Sequence, residues 1–447
     1  VPEPSWWLAH LTAEMDRRRP RLALLRSYLD GYPPLPEGAE GQREAYAQFQ
    51  RKAARNFAEL VTDAVAERMI VGGFRVGDQA ADDDAARRLW KRNNLGVWAG
   101  DVHRDMLGLS VGYVCVQPGP EGVEITHERP EQVVVEHDPA RPDRRRAGLK
   151  TWRDEVQGWD TAYLHLPGVV IPYRRDIPVV SGRPRPILTY SGGWRQAGAP
   201  ADTGLPRIPL VPFVNRGGLG EFETHTGLLD SINWHVLQRL VLIAMQAYRQ
   251  RAIKGDLPEV DEDGNPIDYG ELLKPGPGAL WELPDGVDLW ESAQADLTGV
   301  LESAKADLRD LAAVTRTPMA TLMPDGANQT AEGASFAKEG LVFKARDRIA
   351  RAAASWSEVL RLALPDTGAE VSVDVVFLPP EQRSLAEKAD AATKLGSTLP
   401  WRALMTDVMQ YDGDAVDRMA AERAEDAMLA AVAAPPAPAP GADSGRG

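Results

Sequence analysis

The chain carries a single cysteine, Cys115, among its 447 residues. That excludes an intrachain disulfide and a cysteine zinc site, and it points to a reducing setting. Cys115 lies in the apolar run GYVCVQ, so the expectation is a buried small hydrophobe rather than a nucleophile. A Walker A sequence is missing, which removes the usual cradle for a nucleotide. The histidines, at 10, 103, 127, 137, 165, 225 and 235, show no H-x-x-x-H or H-E-x-x-H spacing. His127 and His137 come nearest to a cluster and are read as strand or surface residues. The longest apolar run near a helix, LVLIAM at 240–245, is far short of the roughly 18 residues a membrane span needs. Residues 1–30 show no basic start before an apolar core. The expectation is a soluble protein of the cytoplasm, or of a particle assembled there. Basic charge is also in deficit, with 51 Lys and Arg against 65 Asp and Glu, a net charge of −14. A broad grip on DNA or anionic lipid is therefore not expected, because such grip comes from cations neutralising phosphates.

What is present is ordinary globular composition, with 43% apolar and 26% charged residues, in a chain long enough for two to four domains. Residues 5–31 read as a helix ending at Asp30-Gly31, followed by the rigid turn YPPLPEG. A second helix is expected over 42–70, with Phe49, Ala53, Phe57, Leu60, Ala64 and Val65 on one face. Gly72-Gly73 should stop it. A helical stretch follows from about 82 to 107, its DDD start suiting the positive end of the helix dipole. From 110 to about 215, runs such as YVCVQP, VEITHE, QVVVEHD, AYLHL, GVVIPY and PILTYSG alternate with Gly, Pro and charged turns. This spacing predicts a mostly antiparallel β region. RPDRRR (141–146) reads as a solvated loop between strands.

Three long helical segments come next. The first, 224–254, carries Leu229, Ile232, Val236, Leu240, Ile243 and Ala247 at spacings of three and four. Residues 256–288 read as a compact insert with a hairpin at Asp263-Gly264. The second segment, 289–316, repeats the stripe with Leu297, Leu301, Ala304, Leu308 and Leu311. The proline-bounded loop TPMATLMPDGANQ (317–329) then breaks into a third helix, 330–363. Thr330 is its expected N-cap, and its stripe runs from Ala334 through Leu341, Ile349 and Trp356 to Ala363. Nearly 30 residues of stripe span roughly 44 Å. A strand, EVSVDVVFL, and helical pieces at 381–396, 400–410 and 413–431 follow. From Asp366 onward there are 14 acidic and 7 basic residues, so half the net charge lies in the last fifth of the chain. The tail APPAPAPGADSGRG is low in complexity and expected to be disordered. Such a series of helices suits the wall of an assembly better than a catalytic pocket.

Three segments match known catalytic or metal-binding motifs in part. Gly108-Leu109-Ser110-Val111-Gly112 matches the nucleophile elbow, which would make Ser110 the serine of a hydrolase. The elbow needs a strand before the serine and a helix after it; here the order is reversed, and a helix-to-strand turn is expected. His103-Arg104-Asp105 resembles a kinase catalytic loop, but that loop needs an asparagine where Ser110 stands. An exposed helix face is the reading for it. Asp261, Asp263 and Asn265 have the 1-3-5 spacing of a calcium loop, whose glycine and glutamate positions hold Pro266 and Leu272 instead. A turn is expected there.

Six segments in order carry a resemblance to a known family. They are LRSYLDGYPPLP, NFAELVTDAVAERMIVGGF (56–74), LGLSVGYVCVQPG, LPRIPLVPFVNR (205–216), TAEGASFAKEGLVFKARDR (330–348) and VDVVFLPPEQRSLAEKADAATKL (373–395). Together they resemble the portal proteins of tailed double-stranded DNA bacteriophages, of the siphophage type common in phages of actinobacteria. Thr330 and Gly333 depart from the family's Ser-Ala-Glu-Ala helix start. The resemblance implies an α+β portal fold with a mixed α/β wing, a helical stem, a small α/β clip, a long wing helix with a tunnel loop, and a helical crown. On it, 1–223 and 330–378 form the wing, 224–254 and 289–316 the stem, 255–288 the clip, 317–329 the tunnel loop, and 379–432 the crown, before a tail at 433–447.

The resemblance further implies a non-enzymatic ring of twelve subunits at a capsid vertex, with no cofactor, metal or membrane. Its partners would be the terminase large subunit, a head-tail adaptor, the major capsid and scaffolding proteins, and double-stranded DNA passing through. Thr317, Pro318, Met319, Thr321, Met323, Pro324, Asp325, Asn328 and Gln329 would face DNA. Asp261, Asp263, Asn265, Tyr269 and Lys274 would meet partners at the clip. The loop 317–329 contains no Lys or Arg, which suits passage, since each basic contact adds affinity for phosphate. The alternatives are another head-tail connector component, or a serine hydrolase using Ser110.

Overall fold

Pro4 opens the first helix at a position whose amide needs no partner, and the chain turns away at Gly31, whose φ of +79° suits a residue without a side chain. The computed structural model describes residues 2–34, 44–77, 83–120, 122–177, 179–180, 183–184, 189–205, 207–247, 251–255, 258–260, 264, 266–269, 287–291, 297–323, 331–364, 371–381, 385–411 and 413–433. They divide into two compact units. One comprises Val1–Pro34, Asn56–Gly227 and Leu311–Gly447; the other, Leu35–Arg55 and Leu228–Asp310.

The first unit contains α1 (Pro4–Leu29). The helix expected over 42–70 is two: α2 (Glu44–Ala53), in the second unit, and α3 (Phe57–Ala66). The break is Asn56, whose side chain accepts from the Glu59 amide and donates to the Leu29 carbonyl. An N-cap of this kind competes with continuation of a helix. Gly72-Gly73 do not stop a helix; they lie in β1 (Val71–Val76). The stretch expected over 82–107 is likewise divided into α4 (Asp84–Arg92) and α5 (Leu95–Gly108), parted by Asn94 in the left-handed region at φ 52°. Asp83 caps α4 through the Ala86 amide.

The β region follows its predicted antiparallel pattern. β2 (Val111–Gly119) and β3 (Gly122–Glu128) form a hairpin. A meander of β4 (Val133–Asp138), β5 (Arg141–Asp154), β6 (Trp159–Leu166) and β7 (Val169–Asp176) comes next. RPDRRR is therefore the start of a strand and not a loop. Arg145 within it is almost buried and pairs with Glu358 at 2.8 Å. The short strands β8 (Val179–Val180) and β9 (Arg183–Pro184) pair with each other, while β10 (Arg195–Gln196) and β11 (Ala201–Asp202) both pair with β7. In PILTYSG, the described residues 189–192 form no strand. β12 (Leu210–Val214) completes a three-stranded sheet of order β12-β2-β3.

The second unit holds the greater part of α6 (Thr226–Ala247) and of α7 (Thr298–Thr315), with β13 (Arg251–Lys254) and β14 (Asp288–Glu291). Both helices are shorter than predicted. The ends assigned to them at 251–254 and 289–291 are strands that pair antiparallel, Lys254 opposite Asp288 and Ala252 opposite Trp290. Val260 and Pro266 form an isolated antiparallel bridge. Ala53, Val236 and Leu237 form a small core in this unit.

Back in the first unit, the longest helix is α8 (Ala331–Ala363). Its stripe is buried from Leu341 and Ala345 through Ala352, Trp356 and Val359 to Ala363. Trp356 is fully buried, with the rings of Trp90 and Phe213 at 4.9 and 4.8 Å. This core also takes in β15 (Val373–Phe377), which pairs with β1. A separate core lies between α1 and the meander. The chain ends its described part with α9 (Leu385–Leu395), a π turn at Leu404–Val408 and α10 (Gly413–Ala433).

Candidate functional site

The segment after α7 is anchored at its root. The Thr315 hydroxyl donates to the Leu311 carbonyl at 2.6 Å and lies 2.9 Å from the Thr317 hydroxyl. The Thr317 amide donates to Ala312 at 3.0 Å. Between them Arg316 takes a left-handed φ of 53°, a conformation that an L residue holds only when its surroundings fix it. Part of that fixing comes from α8: Lys344 Nζ donates to the Thr315 carbonyl at 2.8 Å. The expected irregular loop 317–329 contains a helical turn, Met319–Leu322, with Leu322 buried. Pro318 precedes it, where its ring sets the backbone for the turn.

Of the residues expected to face DNA, Thr317 is 3% exposed. Pro318, Met319, Thr321 and Met323 are half-buried. Pro324, Asp325, Asn328 and Gln329, with the expected cap Thr330, lie outside the described residues, as do Asp261, Asp263, Asn265 and Lys274. Tyr269 is described, and its hydroxyl donates to the Pro258 carbonyl at 2.7 Å.

Beneath the loop root lies a charge cluster that sequence reasoning missed. Glu221 accepts from Arg348 Nε at 2.6 Å and from Lys344 Nζ at 2.8 Å. Asn215 Nδ2 adds a third bond at 3.0 Å. Burial pushes the Glu221 carboxyl up, but the two cations outweigh it and hold it below the usual range. Burial lowers Lys344, Glu221 opposes that, and Arg348 and Arg316 lower it further; the net direction is down. These residues border a crevice of about 220 Å³. The only sequence signal was two cations, Lys344 and Arg348, four apart inside an otherwise apolar stripe.

Two of the three apparent motifs fall on described residues. Ser110 sits in a helix-to-strand turn with φ 75°. It is buried, and its hydroxyl accepts from Arg21 at 3.2 Å. The flanking glycines serve packing: a Cβ on Gly112 would lie 2.5 Å from the Val102 carbonyl oxygen, and one on Gly108 would lie 2.7 Å from Leu29 Cδ2. His103 and Asp105 are not on an exposed face, as expected, but buried. His103 Nε2 accepts from Trp356 at 2.9 Å, and Asp105 accepts from Arg26 and His127 at 3.0 and 2.9 Å. Cys115 is buried, and burial pushes its thiol up to about 12. No group of His, Cys, Asp and Glu among the described residues could hold a metal ion. No described helix is long and apolar enough to cross a membrane.

In the second unit, Asp307 accepts from His235 Nδ1 at 2.9 Å and from Ser231 at 2.7 Å, while His235 Nε2 lies 3.2 Å from Ser303 Oγ. The connectivity is that of a Ser-His-Asp triad. Ser303 stands within α7, however, where neighbouring amides are committed to the helix ladder and offer no oxyanion donors. The network joins two helices, and three of its four members lay unnoticed on the polar faces beside the predicted stripes.

Comparison with known proteins adds the family. The chain is 26% identical over 368 residues to the portal protein of Mycobacterium phage D29, covering 76% of this chain and 72% of that protein. It is also 26% identical over 365 residues to the portal protein of Mycobacterium phage L5, covering 76% and 71%. Among solved structures, a chain in the neck of an empty GTA particle, computed with C6 symmetry, aligns over 88% of this chain and 99% of its own. The identity there is 15% and the TM-score 0.46. The family model for phage portal proteins of the SPP1 Gp6-like type matches residues 8–428, nearly the whole of both compact units, and the chain belongs to that family.

Proposed function

We propose that this protein is the subunit of a ring-shaped DNA channel at one vertex of a phage capsid. DNA enters through the ring during packaging by terminase and leaves through it at ejection, and the ring joins head to tail. The observation that carries this reading is the family match over 8–428, which is unbroken across α6, the insert, α7, the loop and α8. In this reading α6 and α7 are stem helices, bounded at Thr226–Ala247 and Thr298–Thr315. The insert between them is the clip that meets terminase and the head-tail adaptor. Residues 317–329 form the tunnel loop, α8 is the wing strut, and residues from about 379 form the crown.

The charge balance supports a conduit. A net charge of −14 with no cation in 317–329 gives a lining that touches a DNA backbone without a strong electrostatic grip. Exposed apolar side chains such as Trp98, Val97 and Phe343, at 45%, 69% and 61%, suit burial between neighbouring copies. Negative-stain microscopy of the purified protein viewed down the particle axis should show rings, with twelve subunits expected. A protein that stays monomeric at 48.8 kDa, both in solution under assembly conditions and in particles, would overturn the proposal.

A further inference from the structure

The crevice under the loop root carries more positive charge than its own carboxylates balance. Four cations border it: Arg216, Arg316, Lys344 and Arg348. Two acids face them, Glu221 and Asp347. Glu221 is taken up by Lys344 and Arg348, and Asp347 by Arg348 and Arg351. Arg216 and Arg316 are left over. Both are exposed at the rim, and among the described residues neither guanidinium has a carboxylate partner. In a chain with 14 more acids than bases, two arginines with no carboxylate partner among the described residues, at the mouth of one crevice, are a local inversion of charge.

The surroundings register that inversion. Lys344 is held down in part by Arg316, and His225, which also borders the crevice, is held down by burial and then by Lys344. An anion entering would relieve both. At about 220 Å³ the space exceeds several water volumes of about 30 Å³ each. Its lining is polar, and guanidinium forks match the geometry of a tetrahedral oxyanion.

One further atom narrows the anion. Asn215 lines the crevice and is 2% exposed, and its Oδ1 has no hydrogen-bond partner among the described residues. Its amide nitrogen is already committed to Leu219 and Glu221, which fixes the oxygen as the open group. A buried acceptor without a donor is costly. A ligand that offers both negative oxygens to the arginines and a hydroxyl to Asn215 satisfies both demands.

We propose that this crevice is a binding site for a protonated tetrahedral oxyanion, hydrogen phosphate or a phosphate monoester, held by Arg216 and Arg316. Bound there, it would tie the turn at 215–219 to Arg316 of the loop root, and so bear on how firmly that root is held. The proposal does not depend on the channel reading, and its failure would leave that reading untouched.

The test is calorimetric titration of the full chain with inorganic phosphate near pH 7, at constant ionic strength in chloride. Saturable binding is expected. It should weaken about tenfold or more in Arg216→Gln and in Arg316→Gln, and stay unchanged in Arg17→Gln, which removes an exposed arginine on α1. Because neither rim arginine is buried, nor paired with a carboxylate among the described residues, the variants keep the fold, which circular dichroism verifies. Sulfate, which carries no proton at this pH, should bind more weakly than phosphate. Absence of saturable phosphate binding, or binding that survives in the double arginine variant, would overturn the site. Sulfate binding as tight as phosphate would overturn the assignment of a protonated ligand.

Discussion

Glu221 stays ionised inside the protein because Lys344 and Arg348 reach it, and Lys344 stays tolerable there because Glu221 reaches back. Each member of such a cluster depends on the others for the solvation it lost on folding. Removing the acid alone leaves the buried Lys344 without a carboxylate and Arg348 with Asp347 only. Glu221→Ala should therefore destabilise the protein by about 3–5 kcal/mol, read as a drop in the urea midpoint. Replacing Glu221 and Lys344 together with leucine and methionine should cost much less, since apolar side chains of similar volume need no partners. Equal losses in the single and double variants would show that packing, not charge, sets the value. The same pair also fixes the loop: without Lys344 the Thr315 carbonyl loses its bond to α8.

At the scale of elements, the loop and the long helix form one device. The root at 315–317 is held by hydrogen bonds and by Lys344, while 318–323 leave it as a short helical turn. Removing 321–326 takes the buried Leu322 with it but leaves the hydrogen-bonded root at 315–317 in place. Deleting 321–326 should leave ring formation intact and reduce DNA packaging or retention, measured by the DNA content of assembled particles; wild-type packaging would remove the DNA-facing role from this loop. The sequence showed this element through its prolines and the uninterrupted stripe that follows. It showed α8 to within a residue, because long apolar periodicity leaves few alternatives. It failed where single side chains override periodicity: Asn56 and Asn94 each divided a predicted helix. It failed again at 251–254 and 289–291, where strand pairing depends on residues more than thirty positions apart. The crevice was illegible for the same reason, since Asn215 with Glu221, Arg316, and Lys344 come from three separate segments. The buried His103 and Asp105 were missed because polar residues on a helix read as solvated unless their partners, Trp356 and Arg26, are known.

For the whole molecule, those buried histidines turn packing into a pH response. Burial lowers His103 to about 3 and His165 to about 4; His137 and His225 are shifted in the same direction. In the unfolded chain a histidine titrates near 6.5. Above that pH both states are neutral and the histidines cost nothing. Below it the unfolded chain takes up protons that the folded chain refuses, so stability falls as pH falls, by about 1.4 kcal/mol per pH unit for each such group. The loss continues until the folded pKa is reached. Protonation of His103 would also displace the bond it accepts from Trp356, at the centre of the largest core. Carboxylates such as Glu221 contribute in the same direction only below their ordinary value of 4.5, which leaves roughly pH 6.5 to 4.5 as the histidine window. Thermal melts across that window should show a steady decline. His165→Leu should flatten it, because among the described residues neither ring nitrogen of His165 has a partner to lose. A slope unchanged by this substitution would mean that His165 is not the group refusing the proton.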